Sequence, residues 1–180
     1  MSLSGSAPAA LDAVTRLTRW VDDFPIDGVR FADLTPVFAD AGGFAAVVAG
    51  LQHIDVEFDV VAGLDARGFL LASAVAISSG HGVVAIRKAG KLPPPVLRRE
   101  YSLEYGTAAL EIPATHMNLV GKRVLVVDDV LATGGTLSAA VGLLEDAGAQ
   151  VVAVSVVLEI TFLGGRDRLP GLPLVSVLAD

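Results

Sequence analysis

Five short segments of almost continuous apolar residues constrain the fold of this 180-residue chain more than any other feature. They occupy residues 58–64, 82–87, 123–129, 151–159 and 173–178. Helical patterns separate several of them, notably at residues 66–80 and 136–148. Strands that are apolar on both faces and alternate with helices indicate a mostly parallel sheet with helices on both sides. We therefore predict an α/β fold with a five-stranded sheet, in one domain spanning residues 1–180.

Three further segments are predicted to lie outside this sheet. Residues 1–9 are small and are expected to be disordered. Residues 10–36 combine a helix, with apolar side chains at helical spacing from Leu11 to Val21, and a loop punctuated by proline and glycine. Residues 97–113 contain two extended stretches separated by Glu-Tyr-Gly, which predicts a protruding antiparallel hairpin.

The composition excludes several functional classes. The chain has no cysteine, which rules out disulfides, thiol catalysis and thiolate metal sites. A formal net charge of -7 argues against a nucleic-acid-binding protein, which normally carries a basic surface. No apolar run approaches the roughly 20 residues that span a bilayer, and the first residues do not resemble a secretion signal. We expect a cytoplasmic protein that binds neither nucleic acid nor membrane.

Residues 123–136, with the sequence RVLVVDDVLATGGT, carry the strongest functional signal. An apolar strand ends in two carboxylates, Asp128 and Asp129, and a loop of small residues then leads into a helix. Ligands of open parallel sheets bind outside the carboxyl ends of the strands. The unpaired N–H groups and the dipole of a helix N-terminus also favour an anion there. This segment therefore predicts an anion site at the sheet edge.

The loop after the two carboxylates is suited to a phosphate group. Gly134 and Gly135 allow the backbone to approach a phosphate closely, and the hydroxyls of Thr133 and Thr136 can donate to it. The loop lacks the spacing and the lysine of the nucleoside triphosphatase P-loop, which disfavours a triphosphate. Adjacent carboxylates can accept hydrogen bonds from neighbouring ribose hydroxyls. Together these groups predict a site for ribose 5-phosphate.

This segment resembles the signature of the type I phosphoribosyltransferases, which is two apolar residues, two acidic residues and a Thr-Gly-Gly-Thr-type loop. The resemblance implies that Asp128 and Asp129 contact the ribose hydroxyls. The residues it implies for the 5-phosphate are Ala132, Thr133, Gly134, Gly135 and Thr136. It also implies the fold of that family, in which the mostly parallel sheet carries an antiparallel flap and a small N-terminal hood. An ordinary turn beside a solvated acidic pair is the alternative interpretation.

A cluster of basic residues precedes the predicted hairpin. Its members are Arg87, Lys88, Lys91, Arg98 and Arg99, five of the thirteen lysines and arginines of the chain. Transfer from phosphoribosyl pyrophosphate builds negative charge on the departing pyrophosphate, which fixed cations and Mg²⁺ would stabilise. A solvated basic loop is the alternative. Residues 86–93, IRKAGKLP, resemble the adenine-specific members of the family, which implies pyrophosphate contacts for the first three cations. The resemblance implies no specific contact for Arg98 and Arg99, whose role stays open apart from a general electrostatic one.

A second pyrophosphate-binding element is implied by residues 63–69, GLDARGF, which resemble the pyrophosphate loop of the family. The resemblance implies that Asp65, Ala66 and Arg67 bind pyrophosphate. It further implies a non-proline cis peptide bond between Asp65 and Ala66. From the residues alone, a local ion pair between Asp65 and Arg67 is an equally good interpretation.

Residues 99–112, REYSLEYGTAALEI, resemble the mobile catalytic flap of the adenine-specific members. The resemblance implies catalytic roles for Glu104 and Tyr105. Bond formation at N9 of adenine requires loss of a proton, which a carboxylate in a closed site can accept. A tyrosine ring can pack over the forming bond and exclude water. Exposed positions in a hairpin turn are the alternative for both residues.

Residues 23–36, DFPIDGVRFADLTP, resemble the base-binding hood of the family. Val29, Arg30 and Phe31 are implied to contact adenine, with Arg30 contributing mainly backbone groups. Leu158 is a candidate for the other side of the base, although core packing is equally plausible for it. Asp27 and Ala32 depart from the family, which commonly has proline and arginine at these two positions.

The resemblance as a whole implies an enzyme of purine salvage. It would transfer the 5-phosphoribosyl group of phosphoribosyl pyrophosphate to N9 of adenine, giving AMP and pyrophosphate. Mg²⁺ would be held mainly by substrate oxygens, without direct protein ligands. A homodimer is implied, with the partner approaching through the regions of Arg67 and Arg87. The alternatives are a phosphoribosyltransferase for hypoxanthine, guanine, xanthine or orotate, a non-catalytic sensor of phosphoribosyl pyrophosphate, and a flavodoxin-like nucleotide-binding module.

Overall fold

Strands and helices alternate along residues 6–103 and 106–180, which are the residues described by the computed structural model. The strands are β1 (Arg19–Val21), β2 (Phe31–Asp33), β3 (Val60–Leu64), β4 (Gly82–Lys88), β5 (Val96–Leu103), β6 (Gly106–Pro113), β7 (Arg123–Leu131), β8 (Gln150–Glu159) and β9 (Leu174–Ala179). The α-helices are α1 (Ser6–Leu17), α2 (Thr35–Ala39), α3 (Ala41–Leu51), α4 (Arg67–Ser79) and α5 (Gly135–Asp146). Two short 3-10 helices, Thr161–Leu163 and Gly165–Arg168, lie between β8 and β9. Within these two ranges, no helix is both long and apolar enough to cross a membrane.

The central sheet has seven strands in the order β5-β6-β4-β3-β7-β8-β9. Strands β4, β3, β7, β8 and β9 are parallel to one another, which confirms the five strands predicted from the apolar segments. The predicted hairpin is formed by β5 and β6. Its second strand pairs antiparallel with the end of β4, so that the hairpin extends the sheet to seven strands. This pairing covers part of the edge of β4, where backbone groups would otherwise be unpaired.

Helices cover both faces of the parallel strands. Along β7, Val124 and Val126 pack into a core with α5, whereas Leu125 and Val127 pack into a second core with α1, α3 and α4. All four side chains are fully buried. This two-sided burial explains why the strand is apolar at successive positions and does not alternate with polar residues.

The N-terminal region differs from the prediction in two places. Helix α1 begins at Ser6, so residues 6–9 are helical and the expectation of a disordered lead is wrong for them. Their small residues include alanines, which favour helix strongly. The helix ends at Leu17, and Val21 belongs to a strand. Close packing fixes the helix against α3, where a Cβ on Gly50 would lie 2.7 Å from the Cβ of Ala10.

The hood region is more regular than the predicted loop. Strands β1 and β2 pair antiparallel, with Arg19 opposite Asp33 and Val21 opposite Phe31. The turn between them is closed by a hydrogen bond of 2.8 Å from the Gly28 N–H to Asp23 Oδ1. The proline and glycine residues of this segment therefore mark a hairpin connection, and the short strands on either side of it were missed.

Candidate active site

An open cavity of about 770 Å³ lies at the carboxyl ends of β3, β4 and β7. Its lining comprises residues 65–67, 88–89, 101, 108–109 and 128–137. The structure thus brings together the predicted pyrophosphate loop, one predicted pyrophosphate cation, the two carboxylates and the whole predicted 5-phosphate loop. Ligands of open α/β sheets bind at this edge, so the position agrees with the general rule.

The predicted 5-phosphate loop ends at the N-terminus of α5. Gly134 is the residue before the helix and has a left-handed backbone with φ of 77°. Glycine adopts this conformation without steric cost. Its carbonyl accepts the first helical hydrogen bond, 2.9 Å from the Ser138 nitrogen. No side chain of the described residues caps this helix, so the N–H groups of its first turn are available to an anion in the cavity.

The two carboxylates at the end of β7 lie in different surroundings. Burial, together with the charge of Asp129, raises the pKa of Asp128 well above its ordinary value. Its Oδ1 accepts a hydrogen bond of 2.9 Å from the Asp129 N–H. Asp129 is 7% exposed, and its Oδ2 lies 2.5 Å from Nε of Arg67. That contact is an ion pair without hydrogen-bond geometry, so among the described residues Oδ2 has no donor.

The pyrophosphate loop is held by ion pairs that cross between strands. The peptide bond between Asp65 and Ala66 is cis, which confirms that expectation. Nε of Arg87 lies 3.1 Å from Asp65 Oδ2. Arg67 pairs with Asp129, so the alternative of a local pair between Asp65 and Arg67 is not observed. The arginines predicted to bind pyrophosphate are therefore paired with carboxylates of the same site.

The remaining basic residues divide into two groups. Lys88 lines the cavity, whereas Lys91 is exposed on the following loop outside the lining. Arg98 lies 3.7 Å from Glu111, and Arg99 lies 2.7 Å from Asp146 on α5. The last two arginines thus fasten the β5–β6 hairpin, which gives them the structural role that the sequence left open.

The hood approaches the cavity through Arg67. The Arg67 guanidinium lies 5.5 Å from the centre of the Phe31 ring and donates a hydrogen bond of 3.5 Å to the Ala32 carbonyl. Arg30 stacks on Trp20 at 4.2 Å, so its side chain is engaged within the hood. Val29, Arg30 and Phe31 do not line the cavity itself.

Two of the predicted site residues lie outside the described part of the chain, namely Glu104 and Tyr105. Leu158 is completely buried between its neighbours on β7 and β9, so its side chain offers no surface to a base. Of the two interpretations given for Leu158, core packing fits this position and the base contact does not. Tyr101, which the sequence analysis missed, lines the cavity. Alternation along β5 places Tyr101 on the same face as Leu97 and Arg99, neither of which lines the cavity, so no local signal in the sequence indicated it.

The raised pKa of Asp128 predicts that Asp128→Asn stabilises the ligand-free protein at high pH. Between the unfolded and folded pKa values the native state binds more protons, so the stability of the wild type falls as pH rises through that window. Asparagine removes the charge and can still accept the Asp129 N–H. At pH 8 we expect a higher melting temperature for the variant, by about 2–4 °C for each kcal/mol gained in the free energy of unfolding. The difference should vanish at about pH 4, near the pKa of an aspartate in the unfolded chain.

Asp129→Asn is the matched control. It removes a charge from the same pair but also breaks the ion pair with Arg67, so no gain in melting temperature is expected. A lower melting temperature for Asp128→Asn than for the wild type at pH 8 would contradict the unfavourable burial of the Asp128 charge.

Comparison with known proteins places this site in a family. Residues 35–167 match the model of the phosphoribosyl transferase domain. The chain is 65% identical to the adenine phosphoribosyltransferase of Rhodococcus jostii (strain RHA1) over 170 residues, which are 94% of this chain and 96% of that one. It is 52% identical to the adenine phosphoribosyltransferase of Mycobacterium marinum (strain ATCC BAA-535 / M), over 96% of this chain and 94% of that one.

Solved structures agree with these relatives. The adenine phosphoribosyltransferase of Thermoanaerobacter pseudethanolicus superposes with a TM-score of 0.88 at 41% identity, covering 94% of this chain and 99% of that one. The Saccharomyces cerevisiae enzyme, solved with an imino-altritol bisphosphate and adenine, gives a TM-score of 0.88 at 32% identity over 94% and 99% of the two chains. The chain therefore has the type I fold and belongs to the phosphoribosyltransferase family, on the branch formed by the adenine phosphoribosyltransferases.

Proposed function

We propose that this chain is a purine-salvage enzyme that transfers the 5-phosphoribosyl group of phosphoribosyl pyrophosphate to N9 of adenine, releasing AMP and pyrophosphate. Residues 1–180 would form one phosphoribosyltransferase domain. The observation that carries the proposal is the single cavity shared by the 5-phosphate loop, the acidic pair and the pyrophosphate loop. Adenine as the acceptor is supported by the names of relatives that are up to 65% identical over nearly the whole chain.

Each part of phosphoribosyl pyrophosphate has a matching element in the cavity. The 5-phosphate accepts hydrogen bonds from the backbone of residues 132–136 and from the hydroxyls of Thr133 and Thr136, and the ribose hydroxyls donate to Asp128 and Asp129. Pyrophosphate lies against residues 65–67 and Lys88. Substrate binding then gives Arg67 and Asp129 new partners. Arg67 moves from Asp129 to the pyrophosphate, and Asp129 accepts a hydrogen bond from a ribose hydroxyl. Arg87, which pairs with Asp65, and Lys91, on the loop after β4, add positive charge near the leaving group.

The chemical step breaks the bond between C1 of the ribose and the pyrophosphate oxygen and forms a bond from C1 to N9 of adenine, with inversion. The electron pair of the broken bond leaves with pyrophosphate, whose charge the fixed cations stabilise. Glu104 accepts the proton from N9, and Tyr105 closes over the forming bond to exclude water. We assign these two roles from the flap motif, because the residues lie outside the described ranges.

Mg²⁺ is the cofactor that fits this site. Mg²⁺ prefers oxygen ligands and usually keeps water and substrate phosphates in its coordination shell. The cavity supplies carboxylate oxygens from Asp128 and Asp129, and the described ranges contain no cluster of three or more metal-ligating side chains. We propose that ribose and pyrophosphate oxygens hold the ion, which neutralises charge on the pyrophosphate when bound.

Adenine is proposed to bind between the cavity and the hood. Phe31 contributes an aromatic surface next to Arg67, and Phe24 packs edge to face against it with ring centres 5.1 Å apart. Val29 and Arg30 follow the turn of the hood and contribute backbone groups. Leu158 is not part of this assignment, because its side chain is fully buried. The cytoplasmic location stays a prediction from the sequence.

A base-competition assay tests the proposed reaction. Purified protein is mixed with phosphoribosyl pyrophosphate and Mg²⁺ and offered adenine, hypoxanthine, guanine, xanthine or orotate separately, with the nucleotide quantified by chromatography. We expect AMP from adenine, orders of magnitude above any other product, and its loss on addition of a chelator. Preference for another base would keep the phosphate site and overturn the hood assignment, whereas no product from any base would favour the sensor alternative.

The same assay examines the flap. Glu104→Gln is expected to lower kcat by about 10²-fold or more, the usual contribution of a positioned acid or base. Glu100→Gln is the control, since Glu100 lies on the same hairpin and pairs with Arg98 at 3.3 Å, outside the cavity. Equal turnover of the two variants would remove the catalytic assignment of Glu104.

We also propose that the chain forms a homodimer through α4 and the neighbouring face of β4. Leu70 and Ile77 are separated by two helical turns on one face of α4 and are 54% and 84% exposed. Val83 on β4 is 48% exposed on the sheet face that α4 leaves partly open. An exposed apolar surface of this kind is typical of an interface between subunits. It adjoins Arg67 and Arg87, where the partner was expected.

Sedimentation velocity tests the dimer. The wild type is expected to sediment as a dimer, and Ile77→Asp is expected to shift it toward the monomer, because a charge would be buried in the interface. Val120→Asp is the control, since Val120 is 74% exposed on the loop between β6 and β7. A monomeric wild type, or equal behaviour of both variants, would contradict this interface.

A further inference from the structure

The segment between β8 and β9 packs directly against the back of the 5-phosphate loop. The closest approach is between backbones, at Gly165 on one side and at Ala132 and Gly134 on the other. A Cβ added to Gly165 would overlap the Ala132 carbonyl oxygen and lie 2.9 Å from the Gly134 nitrogen. A Cβ added to Gly134 would overlap the Gly165 carbonyl oxygen in turn. No side chain therefore fits between the two segments.

An ion pair between the buried Glu159 and the half-exposed Arg166 fixes this segment in place. Glu159, at the end of β8, is 6% exposed and accepts hydrogen bonds from Nε of Arg166 at 2.9 Å and from a second guanidinium nitrogen at 2.5 Å. The Ser176 hydroxyl on β9 donates to the same carboxylate at 3.0 Å. Arg166 also donates to the Leu174 carbonyl at 3.2 Å. The residue next to Gly165 is thus tied to both β8 and β9 with the two-pronged geometry that holds arginine most firmly.

We propose that Gly165, anchored by the Glu159–Arg166 ion pair, is a positioning residue that determines how far the 5-phosphate loop projects into the cavity. The proposal rests on the assignment of residues 132–136 to the 5-phosphate. Gly165 does not line the cavity, so it acts on the ligand only through Ala132 and Gly134.

The physical reason lies in which side of the contact can move. The Arg166 anchor holds the segment between β8 and β9, whereas the loop has an open cavity on its other side. A methyl group at residue 165 would therefore displace the loop toward the ligand. The N–H groups that converge on a phosphate tolerate little displacement, because a shift of about 1 Å can cost about 10²-fold in activity. The effect should be confined to ligands that carry a 5-phosphate.

Binding of ribose 5-phosphate, AMP and pyrophosphate to purified variants, measured by calorimetry, tests the proposal. Gly165→Ala is expected to weaken ribose 5-phosphate and AMP by about tenfold or more and to leave pyrophosphate unchanged. The KM for phosphoribosyl pyrophosphate should rise while the KM for adenine stays at its wild-type value. Gly42→Ala is the control, since a Cβ on that glycine of α3 makes only an ordinary contact, 3.6 Å from Asp40 Oδ1.

A second pair of variants keeps the test decisive if Gly165→Ala does not fold. Arg166→Gln removes the anchor without adding volume and should weaken ribose 5-phosphate in the same selective way. Arg166→Lys keeps one charged contact and should restore part of the affinity. Equal loss of ribose 5-phosphate and pyrophosphate affinity in these variants would indicate a general structural role and overturn the proposal.

Thr136→Ala, within the loop itself, separates failure of this inference from failure of the site assignment. Weaker ribose 5-phosphate binding by both Thr136→Ala and Gly165→Ala supports the proposal. A loss in Thr136→Ala alone would overturn the role of Gly165 and leave the loop assignment intact. Wild-type affinity in both variants would overturn the loop assignment and the inference with it.

Discussion

The rest of the site depends on two neighbouring carboxylates held at the end of a buried strand. Val124 to Val127 are fully buried on both faces of β7, and Asp128 and Asp129 follow where that strand reaches the cavity. Two negative charges side by side in a partly dry place repel each other, and burial penalises each of them. The raised pKa of Asp128 expresses this cost. Neighbouring guanidinium groups reduce this electrostatic cost by forming ion pairs with carboxylates of the site.

The compensating positive charges belong to residues that we propose to bind or stabilise pyrophosphate. Arg67 forms an ion pair with Asp129, and Arg87 forms one with Asp65, which follows the neighbouring strand β3. Breaking a buried ion pair is costly when one partner is left alone. In the proposed mode of binding, phosphoribosyl pyrophosphate avoids that cost at the Arg67–Asp129 pair, because it brings an anion for Arg67 and a hydroxyl for Asp129. The proposed substrate therefore replaces both halves of this ion pair at once, which a simple phosphate or a free sugar could not do.

The sequence predicted the parts of the molecule that are set by local pattern. The five parallel strands, the helix before β4, the β5–β6 hairpin and the glycine-containing turn before α5 all follow from periodicity and glycine placement in continuous segments. The resemblance supplied the cis bond at Asp65–Ala66, which no local rule would have predicted. Features that depend on distant contacts were missed. Residues 6–9 were placed in a disordered lead because their composition resembles a linker, whereas they form the first turn of α1, which is exposed at residues 7–9 and packs on α3 at Ala10.

Long-range packing also explains the errors in the site. Leu158 and Glu159 are adjacent on β8, yet Leu158 is a core residue, whereas Glu159 binds Arg166 and accepts the Ser176 hydroxyl from β9. Gly165 lies about 30 residues from the loop that it contacts, so no motif could connect the two. The sequence left the roles of Arg98 and Arg99 open. Their partners on β6 and α5 became visible only in three dimensions.

A crystal structure with AMP, pyrophosphate and Mg²⁺ would test the central claim most directly. The account predicts that the 5-phosphate lies on the backbone of residues 132–136, that the ribose hydroxyls donate to Asp128 and Asp129, and that Arg67 has left Asp129 for the pyrophosphate. A 5-phosphate bound elsewhere, or an intact Arg67–Asp129 ion pair with the ribose away from both carboxylates, would contradict it.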